Sequence, residues 1–433
     1  PVRSPSKRPK ERFSKSGRTP KLLERFCPLR NMAKKELYLI KLNSDMNILY
    51  LSPSFPRNYS QFPIRLSEAG ATVVGIGWEP YENLSPELKE ALTEYCHVPE
   101  MADYDQVLRA AAFLISKVGK LDRVASQEEH WIDLEAALRQ DFNVPGKKPE
   151  EIRPIKHKSL MKEVFRKAGI PVEKAELAEN FEKGRDFTRR AGYPIIAKPN
   201  KGVGAYATYK LSSDAELENF FNTKNPDVPY ILEEFLEGYI QSFDGLTGQD
   251  GSIVFCASHQ FSTDIMSAVN TDDHLHYWSA RKIPEDLEKF GRQAIAAFDL
   301  RERFFHLEFI RGQQGKLTAM EINARPPGGL TMEMFNYANE IDAYRTWADV
   351  VVSGRCETFA ERPYHVSYIG RKTNKHYAHS HEKVLERYGD SILLHTPIDS
   401  VFRQAIGDYA YLARAPRMEE LRPMVDFIQK VEG

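Results

Sequence analysis

Apolar and polar positions along this chain change period repeatedly, and the changes divide it into short strands and helices. Asn47–Leu51 is a continuous apolar run that reads as a buried strand, and a Ser/Pro/Arg/Asn loop leads from it into a helix over Gln61–Ala69, with Pro63 in the first turn and Gly70 at the end. Ala71–Ile76 reads as a strand, Tyr104–Val118 as a helix by its apolar spacing, Asp122–Ala125 as a short strand and Trp131–Phe142 as a helix. Strands alternating with helices predict a parallel sheet, so residues 46–150 are expected to form an N-terminal α/β domain. The first strand is not followed by GxGxxG, which argues against a dinucleotide site there.

A Pro/Gly/Lys break at Val144–Pro154 precedes a predicted helix over Lys158–Ala168 and strands over Gly192–Lys198, Tyr206–Leu211, Tyr230–Phe235 and Ser252–Ala257. Residues 258–283 are polar and rich in His and Asp, and read as one long loop before a Pro284-initiated helix to Phe298. Beyond Gly354 the pattern gives strands at His365–Ile369, near Ser391–Leu394 and at Tyr409–Ala413, with helices His381–Tyr388 and Met418–Val431, a small α+β cap.

The candidate chemistry centres on FFHLEFIRGQQGKLTAMEINARPPGG, residues 304–329, which has the period-2 alternation of a β-hairpin. Pairing Arg311 with Lys316 sets Glu308 against Ala319 and Glu321 against His306, so the carboxylates become diagonal neighbours about 7–8 Å apart. A five-residue loop would instead send one of them to the other face unless a bulge corrected it. Glu308, Glu321 and the Asn323 amide are hard oxygen donors of the kind Mg²⁺ takes when phosphates complete its shell. The competing reading is a solvated sheet face. Arg325 adds a forked cation just past the strand, which Pro326-Pro327-Gly328-Gly329 ends. Upstream, Lys198 must be extended because Pro199 follows it, and the turn carrying Gly202 and Gly204 can close backbone N–H groups on phosphate oxygens, or can be a plain hairpin turn. It is not a Walker loop, which enters a helix through GKS or GKT.

Composition adds bounds. The chain has 433 residues, 42% hydrophobic and 28% charged, enough for two to four domains. Residues 1–45 carry 13 Lys/Arg against 4 Asp/Glu, so with an overall charge of −1 the remainder carries −10. That Ser/Pro-rich basic tail lacks apolar periodicity and is expected to be disordered, as residue from upstream translation or, in a minority reading, a transit peptide. Cys27, Cys96, Cys256 and Cys356 form no CxxC pair and read as free thiols of a reducing, cytoplasmic compartment. No apolar run reaches the roughly 20 residues that cross a bilayer. Lys372, His376, His379 and His381 form a basic cluster that lacks a carboxylate or Cys partner, which favours a solvated loop over a metal site.

The order of Lys158 near a helix start, IIAKP with its glycine turn, LEEFLEG, HLEFI and MEINARPPGG resembles the ATP-grasp superfamily, in particular its carboxylate–amine ligases and biotin-carboxylase-like members, over about residues 46–355. The resemblance implies an N-terminal Rossmann-like pre-ATP-grasp domain, an ATP-grasp domain over 151–355 with a lid at about 160–235, and a C-terminal α+β subdomain over 356–433. It implies that Lys158 and Lys198 hold the ATP phosphates, that Gly202 and Gly204 belong to the phosphate lid, and that Glu233, Glu234 and Leu236 read adenine. It further implies Mg²⁺ or Mn²⁺ on Glu308, Glu321 and Asn323, with Arg325 steadying the transferred phosphoryl group or the acyl phosphate. Where many members have an acidic ribose ligand, this chain has Ile240, with Gln241 as a substitute to consider. The expected activity is ADP-forming ligation of a small-molecule carboxylate to an amine, without membrane or nucleic-acid partners and with a homodimer as the assembly to consider. The alternatives are a bicarbonate-dependent carboxylase and a non-catalytic nucleotide-binding module.

Overall fold

The computed structural model describes residues 46–202, 207–262, 274–355, 361–400 and 402–432. The tail expected over 1–45 lies outside them, as do Gly204, Cys27 and Cys356. No helix among the described residues is long and apolar enough to cross a membrane.

Strands β1 (Asn47–Leu51), β2 (Thr72–Gly77), β3 (Glu94–His97) and β4 (Arg123–Ala125) form a parallel sheet in the order β3-β2-β1-β4. Both faces are covered, which is why β1 and β2 read as unbroken apolar runs. On one face Leu49, Leu51, Val74 and Ile76 pack against the helices Tyr104–Val118 and Ile132–Asp141. On the other, Ile48 and Tyr50 share a core with Phe62 of the helix Gln61–Glu68 and with Tyr344 and Trp347 of the helix Ala343–Ser353. Phe62 is the centre of that core, with ring centroids 4.8 Å from Tyr344, 5.3 Å from Trp347 and 5.7 Å from Phe304. The N-terminal sheet is thus fastened to the later part of the chain by aromatic burial.

A second sheet contains β5 (Ala175–Leu177), β6 (Ile195–Pro199), β7 (Tyr209–Leu211) and β8 (Tyr230–Glu234) in the order β5-β8-β6-β7. Its core of Ile195, Ala197, Leu211 and Leu232 is closed by Phe187 and Leu217 of the helices Phe181–Ala191 and Asp214–Thr223. The helix Lys158–Lys167, placed by sequence at the edge of this lid, instead sends Met161 and Phe165 into the central core with Phe298 and Ile322.

Among the described residues the central sheet has nine strands: β9 (Tyr239–Thr247), β10 (Ile253–Ala257), β11 (His259–Phe261), β12 (His276–Ser279), β13 (Phe304–Arg311), β14 (Leu317–Asn323), β15 (His365–Arg371), β16 (Ile392–Pro397) and β17 (Tyr409–Ala415). Their order is β14-β13-β9-β11-β12-β15-β17-β16, with β10 also pairing β9. Two expectations change here. The segment 258–283 is not one loop, because β11 and β12 pair through His259↔Ser279 and β12 joins β15. Strands of three and four residues are too short to show alternation and are held by partners distant in sequence. Nor is the C-terminal segment a separate cap, since β15, β17 and β16 continue the same sheet, backed by the helix Met418–Gln429. A third difference is at Val144–Pro154, where a helix begins at Pro149, with Lys148 N donating to Glu151 Oε2 at 2.9 Å. Behind the central sheet, Gly291 of the helix Glu285–Ala297 lies so close to Phe243 that a Cβ there would sit 2.2 Å from its ring.

Candidate active site

The hairpin register places the carboxylates. Arg311 pairs with Leu317, leaving a five-residue loop, and the register then shifts between Glu308 and Phe309, so that Phe309 faces Ala319 while Glu308 faces Glu321. Met320 is the extra residue of a β-bulge. The expected pairing of Arg311 with Lys316 is therefore corrected: the glutamates are directly opposed on one face, where Cβ atoms lie about 5 Å apart, and Asn323 faces His306.

Cations reach Glu321 from three elements. The helix Lys158–Lys167 starts where Lys158 N donates to Asn200 O (2.8 Å) and Ser159 N to Asn200 Oδ1 (2.9 Å). This aims Lys158 Nζ at Glu321 Oε2 (3.6 Å) and at the carbonyl of Gly202 (2.9 Å). Gly202 adopts a φ of +145°, a conformation that side chains disfavour. Lys198, extended at the end of β6 as Pro199 requires, and Arg325, just past β14, complete the set. Burial alone would push the Glu321 carboxyl up. The charges of Lys158, Lys198 and Arg325, with the Asn323 amide donating to Oε1 at 3.2 Å, hold it down at about 2.

Glu233, expected at adenine, is held by two lysines. Its buried carboxylate lies 2.7 Å from Lys198 Nζ and 3.1 Å from Lys162 Nζ, and those two cations overcome its burial and lower it to about 2. Lys162, one helical turn from Lys158, also binds Glu173 and donates to Met320 O at 3.1 Å. Lys198 is in turn raised: burial opposes its charge, but Glu233, Glu321 and Glu173 outweigh it. Glu234 faces Lys174 at 3.8 Å, and Leu236 is half-buried just beyond β8. Ile240 is buried on the same face as Glu308, which it follows around through Ser242 in the ladder, whereas Gln241 points to the opposite face and accepts from Arg311 Nε at 2.7 Å. Gln241 is thus engaged on the face away from Glu308.

Behind Glu308 runs a buried polar chain that the sequence did not announce. His306 Nε2 is 3.1 Å from Glu308 Oε1, its Nδ1 is 2.6 Å from Asp244 Oδ1, and His259 Nδ1 is 2.7 Å from Asp244 Oδ2. Burial would lower His306, but Asp244 and Glu308 raise it to about 9. Arg303 was also missed. Its guanidinium spans Glu135 (2.5 and 3.0 Å) and Ala324 O (2.5 Å), which ties the N-terminal sheet's helix to the residue before Arg325. Only the i,i+4 spacing of Lys158 and Lys162 could have been read from sequence.

Among the described residues no group of three His, Cys, Asp or Glu side chains is arranged to hold a metal. Two opposed carboxylates and an amide are a partial shell of hard oxygens, which fits a divalent cation that takes its remaining ligands from phosphate and water. Two of the C-terminal histidines are engaged with aromatic residues: His381 Nδ1 is 2.9 Å from Tyr411 Oη, and His379 stacks on Phe427 at 3.6 Å.

The lysines of the four-stranded lid sheet and of the helix Lys158–Lys167 thus face the paired acidic strands of the central sheet. Residues 191–333 match the ATP-grasp domain family. It is 24% identical over 254 residues to the L-arginine-specific L-amino acid ligase of Bacillus subtilis, covering 57% of this chain and 61% of that protein. It is 28% identical over 146 residues to the carbamoyl phosphate synthase large chain of Methanothermobacter thermautotrophicus, covering 33% of this chain and 14% of that one. The chain thus spans less than two thirds of the length of these curated relatives. In fold it is similar to an L-amino acid ligase from Bacillus licheniformis, with a TM-score of 0.70 at 14% identity, covering 89% of this chain and 98% of that one. It is also similar to N5-carboxyaminoimidazole ribonucleotide synthetase from Thermotoga maritima, with a TM-score of 0.65 at 17% identity over 89% and 99% of the two chains.

Proposed function

We propose that the protein is an ATP-dependent, ADP-forming ligase that activates a small-molecule carboxylate as an acyl phosphate and joins it to an amine. The observation that carries this reading is the convergence on Glu321 of Lys158, Lys198, Asn323 and Arg325, opposite Glu308. In that reading Lys158 and Lys198 bind the nucleotide phosphates, Gly202 lies in the lid turn above them, and the segment Glu234–Leu236 borders the base. Glu233 acts through Lys198, fixing its ammonium, rather than by touching adenine. Glu308, Glu321 and Asn323 hold Mg²⁺ or Mn²⁺, which supplies charge neutralisation on the phosphates when bound. In the same reading Arg325 steadies the negative charge of the transferred phosphoryl group or of the acyl phosphate. Phosphoryl transfer asks for positioned cations and little covalent chemistry from the protein, and this is the equipment present. The names of the relatives support a carboxylate and an amine as substrates, and support amino acids among the first compounds to try.

The test is ADP and phosphate release with Mg·ATP over a grid of carboxylic acids and amines that includes the L-amino acids, with bicarbonate as a separate arm. Release that requires both an acid and an amine is expected. Release that requires bicarbonate alone would replace the ligase by a carboxylase, and ATP binding without turnover in any arm would leave a nucleotide-binding module.

A further inference from the structure

Arg371, the last residue of β15, is a buried cation, 9% exposed, and no carboxylate among the described residues lies within ion-pair distance of it. Its Nε donates to Ile428 O at 2.7 Å, and its guanidinium lies over the rings of Tyr377 and Tyr411, 4.4 and 5.5 Å from their centroids. Those rings take the face of the planar group. Its N–H donors point outward along the edge and need acceptors in the plane, and the buried Nη2 has none. Burial disfavours the charge, and the groups that oppose this effect are the two tyrosines rather than an anion. A buried donor without an acceptor is costly, and more so when it carries a charge.

The unpaired edge belongs to a built cleft. Arg371 lines an open cavity of about 300 Å³ together with Lys372 and Lys375 of the turn after β15 and with Tyr377, Tyr409 and Tyr411. None of the described residues that line it is acidic. Of the carboxylates around it, Asp408 accepts from Thr373 N at 2.8 Å and Thr373 Oγ1 at 3.1 Å, and Glu382 acts on Tyr411. The tyrosine hydroxyls are engaged: Tyr411 Oη is 2.9 Å from His381 Nδ1, Tyr409 Oη is 2.7 Å from His395 Nδ1, and Tyr377 Oη accepts from Lys372 N at 2.9 Å. What the tyrosines offer a ligand is therefore their rings, with the centroids of Tyr409 and Tyr411 5.4 Å apart.

The cleft lies on the opposite face of the central sheet from the reaction centre. His259 contacts Asp244 and so shares the face of His306 and Glu308. The pairs His259↔Ser279 and Phe261↔Tyr277 keep Tyr277 on that face, and Tyr277 pairs with Tyr368 of β15. Alternation then turns Ile369 and Arg371 the other way, together with their partners Tyr411 and Tyr409.

We propose that this cleft binds an oxyanion, a carboxylate or a phosphate, carried on a small planar molecule, with Arg371 as its recognition residue. Oxyanion oxygens are in-plane acceptors that match the free edge of a guanidinium, and the two lysines add charge. The aromatic walls suit the flat part of the ligand. The volume is at the small end for ligand sites, which fits one ring and its anionic group. The inference stands apart from the ligase reading, since it uses none of the residues assigned to that reaction.

The experiment is calorimetric titration of the full chain with benzoate, phenyl phosphate, inorganic phosphate and the neutral benzyl alcohol. Wild type is compared with Arg371→Lys, which keeps the charge and loses the fork, with Lys375→Gln in the turn, and with Lys198→Ala at the reaction centre. At least one aromatic oxyanion is expected to bind wild type, about tenfold or more weakly to Arg371→Lys, less weakened in Lys375→Gln and unchanged in Lys198→Ala. Benzoate binding more tightly assigns the anion as a carboxylate, and phenyl phosphate binding more tightly assigns it as a phosphate. The proposal is overturned if neither aromatic anion binds wild type, if benzyl alcohol binds as well as they do, or if inorganic phosphate does, since the rings would then contribute nothing. Loss of binding in Lys198→Ala would also overturn it by placing the anion at the reaction centre. Should Arg371→Lys lower the melting temperature through its Ile428 contact, Lys375→Gln decides, and undiminished binding there refutes the site.

Discussion

Glu321→Gln is the substitution to make first. It keeps the shape and one carbonyl oxygen of a buried side chain and removes one negative charge from among Lys158, Lys198 and Arg325. Lys158 Nζ lies 3.6 Å from Glu321 Oε2, and unit charges at such separation interact by about 4 kcal/mol at an effective dielectric near 20. Part of that returns as the lysines turn to nucleotide phosphate. What remains is the loss of charge where a divalent cation and a developing phosphoryl charge must be balanced, for which losses of about 10²–10³ in turnover are typical. Glu308→Gln should cost less, because the group nearest Glu308 Oε1 is His306, at 3.1 Å, and not one of these lysines. Two assays separate the effects: ADP release as a function of Mg²⁺, and calorimetric binding of ATP in a chelator. Glu321→Gln should bind metal-free ATP at least as well as wild type, since three cations have lost their shared counter-charge, yet turn over about a hundredfold more slowly. Raising Mg²⁺ should recover part of the Glu308→Gln loss and little of the other. Turnover of both variants at the wild-type rate under limiting Mg²⁺ would reduce the hairpin to a solvated sheet face and remove the centre of the proposed function.

Lys198→Ala should leave the protein folded, since Glu233 retains Lys162 at 3.1 Å, and should weaken ATP binding about tenfold or more by calorimetry; unchanged affinity would take Lys198 out of the site. Arg303→Met should destabilise by about 3 kcal/mol, the low end for breaking a buried pair because Arg139 also binds Glu135; Glu135→Leu, which strips both Arg303 and Arg139 of their carboxylate, should cost more, and an unshifted urea midpoint for Arg303→Met would deny the tie its role. His306 stands at about 9, above its ordinary 6.5, because Asp244 and Glu308 outweigh its burial; its stabilising contribution is therefore complete below pH 6.5 and is lost as pH rises through about 9. The melting temperature of nucleotide-free protein should fall over that window, and Asp244→Asn should flatten the slope; an equal slope in that variant would place the titrating group elsewhere.

The parts of the fold that repeat locally were legible. The helices Tyr104–Val118 and His381–Tyr388 match their apolar spacing to the residue, and Lys198 is extended because Pro199 allows nothing else. What escaped was held by distant partners. β11 and β12 have three and four residues and exist through β9 and β15, which lie far along the chain. The same limit applies inside the site. The resemblance in motif order joined Lys158, Lys198, Glu308, Glu321, Asn323 and Arg325 in one site and set Glu233 at adenine, but the tie of Glu233 to Lys162 and Lys198 needs the helix to lie across the bulged hairpin.

The bulge at Met320 does two things with one extra residue. It restores Glu321 to the face of Glu308, which a five-residue loop would otherwise have denied it, and it leaves Met320 outside the regular pairing with its carbonyl accepting from Lys162 Nζ at 3.1 Å. The same ammonium holds Glu173, just ahead of β5, and Glu233 in β8, so one buried lysine ties the acidic hairpin of the central sheet to one strand of the lid sheet and to the approach to another. A regular ladder would break both arrangements at once: the two carboxylates would part to opposite faces, and Lys162 would lose its carbonyl to the interstrand hydrogen bonds. The position of Lys198 over Glu321 follows from that tie, because Glu233, fixed by Lys162, is what holds the Lys198 ammonium at 2.7 Å. Deleting Met320 should therefore disturb nucleotide binding through Lys198 as well as cation binding through Glu308 and Glu321, whereas Met320→Leu, which keeps the backbone, should disturb neither. Calorimetry of ATP with and without Mg²⁺ distinguishes them, and a deletion that affected only the Mg²⁺-dependent part would show that Lys198 is positioned independently of the bulge.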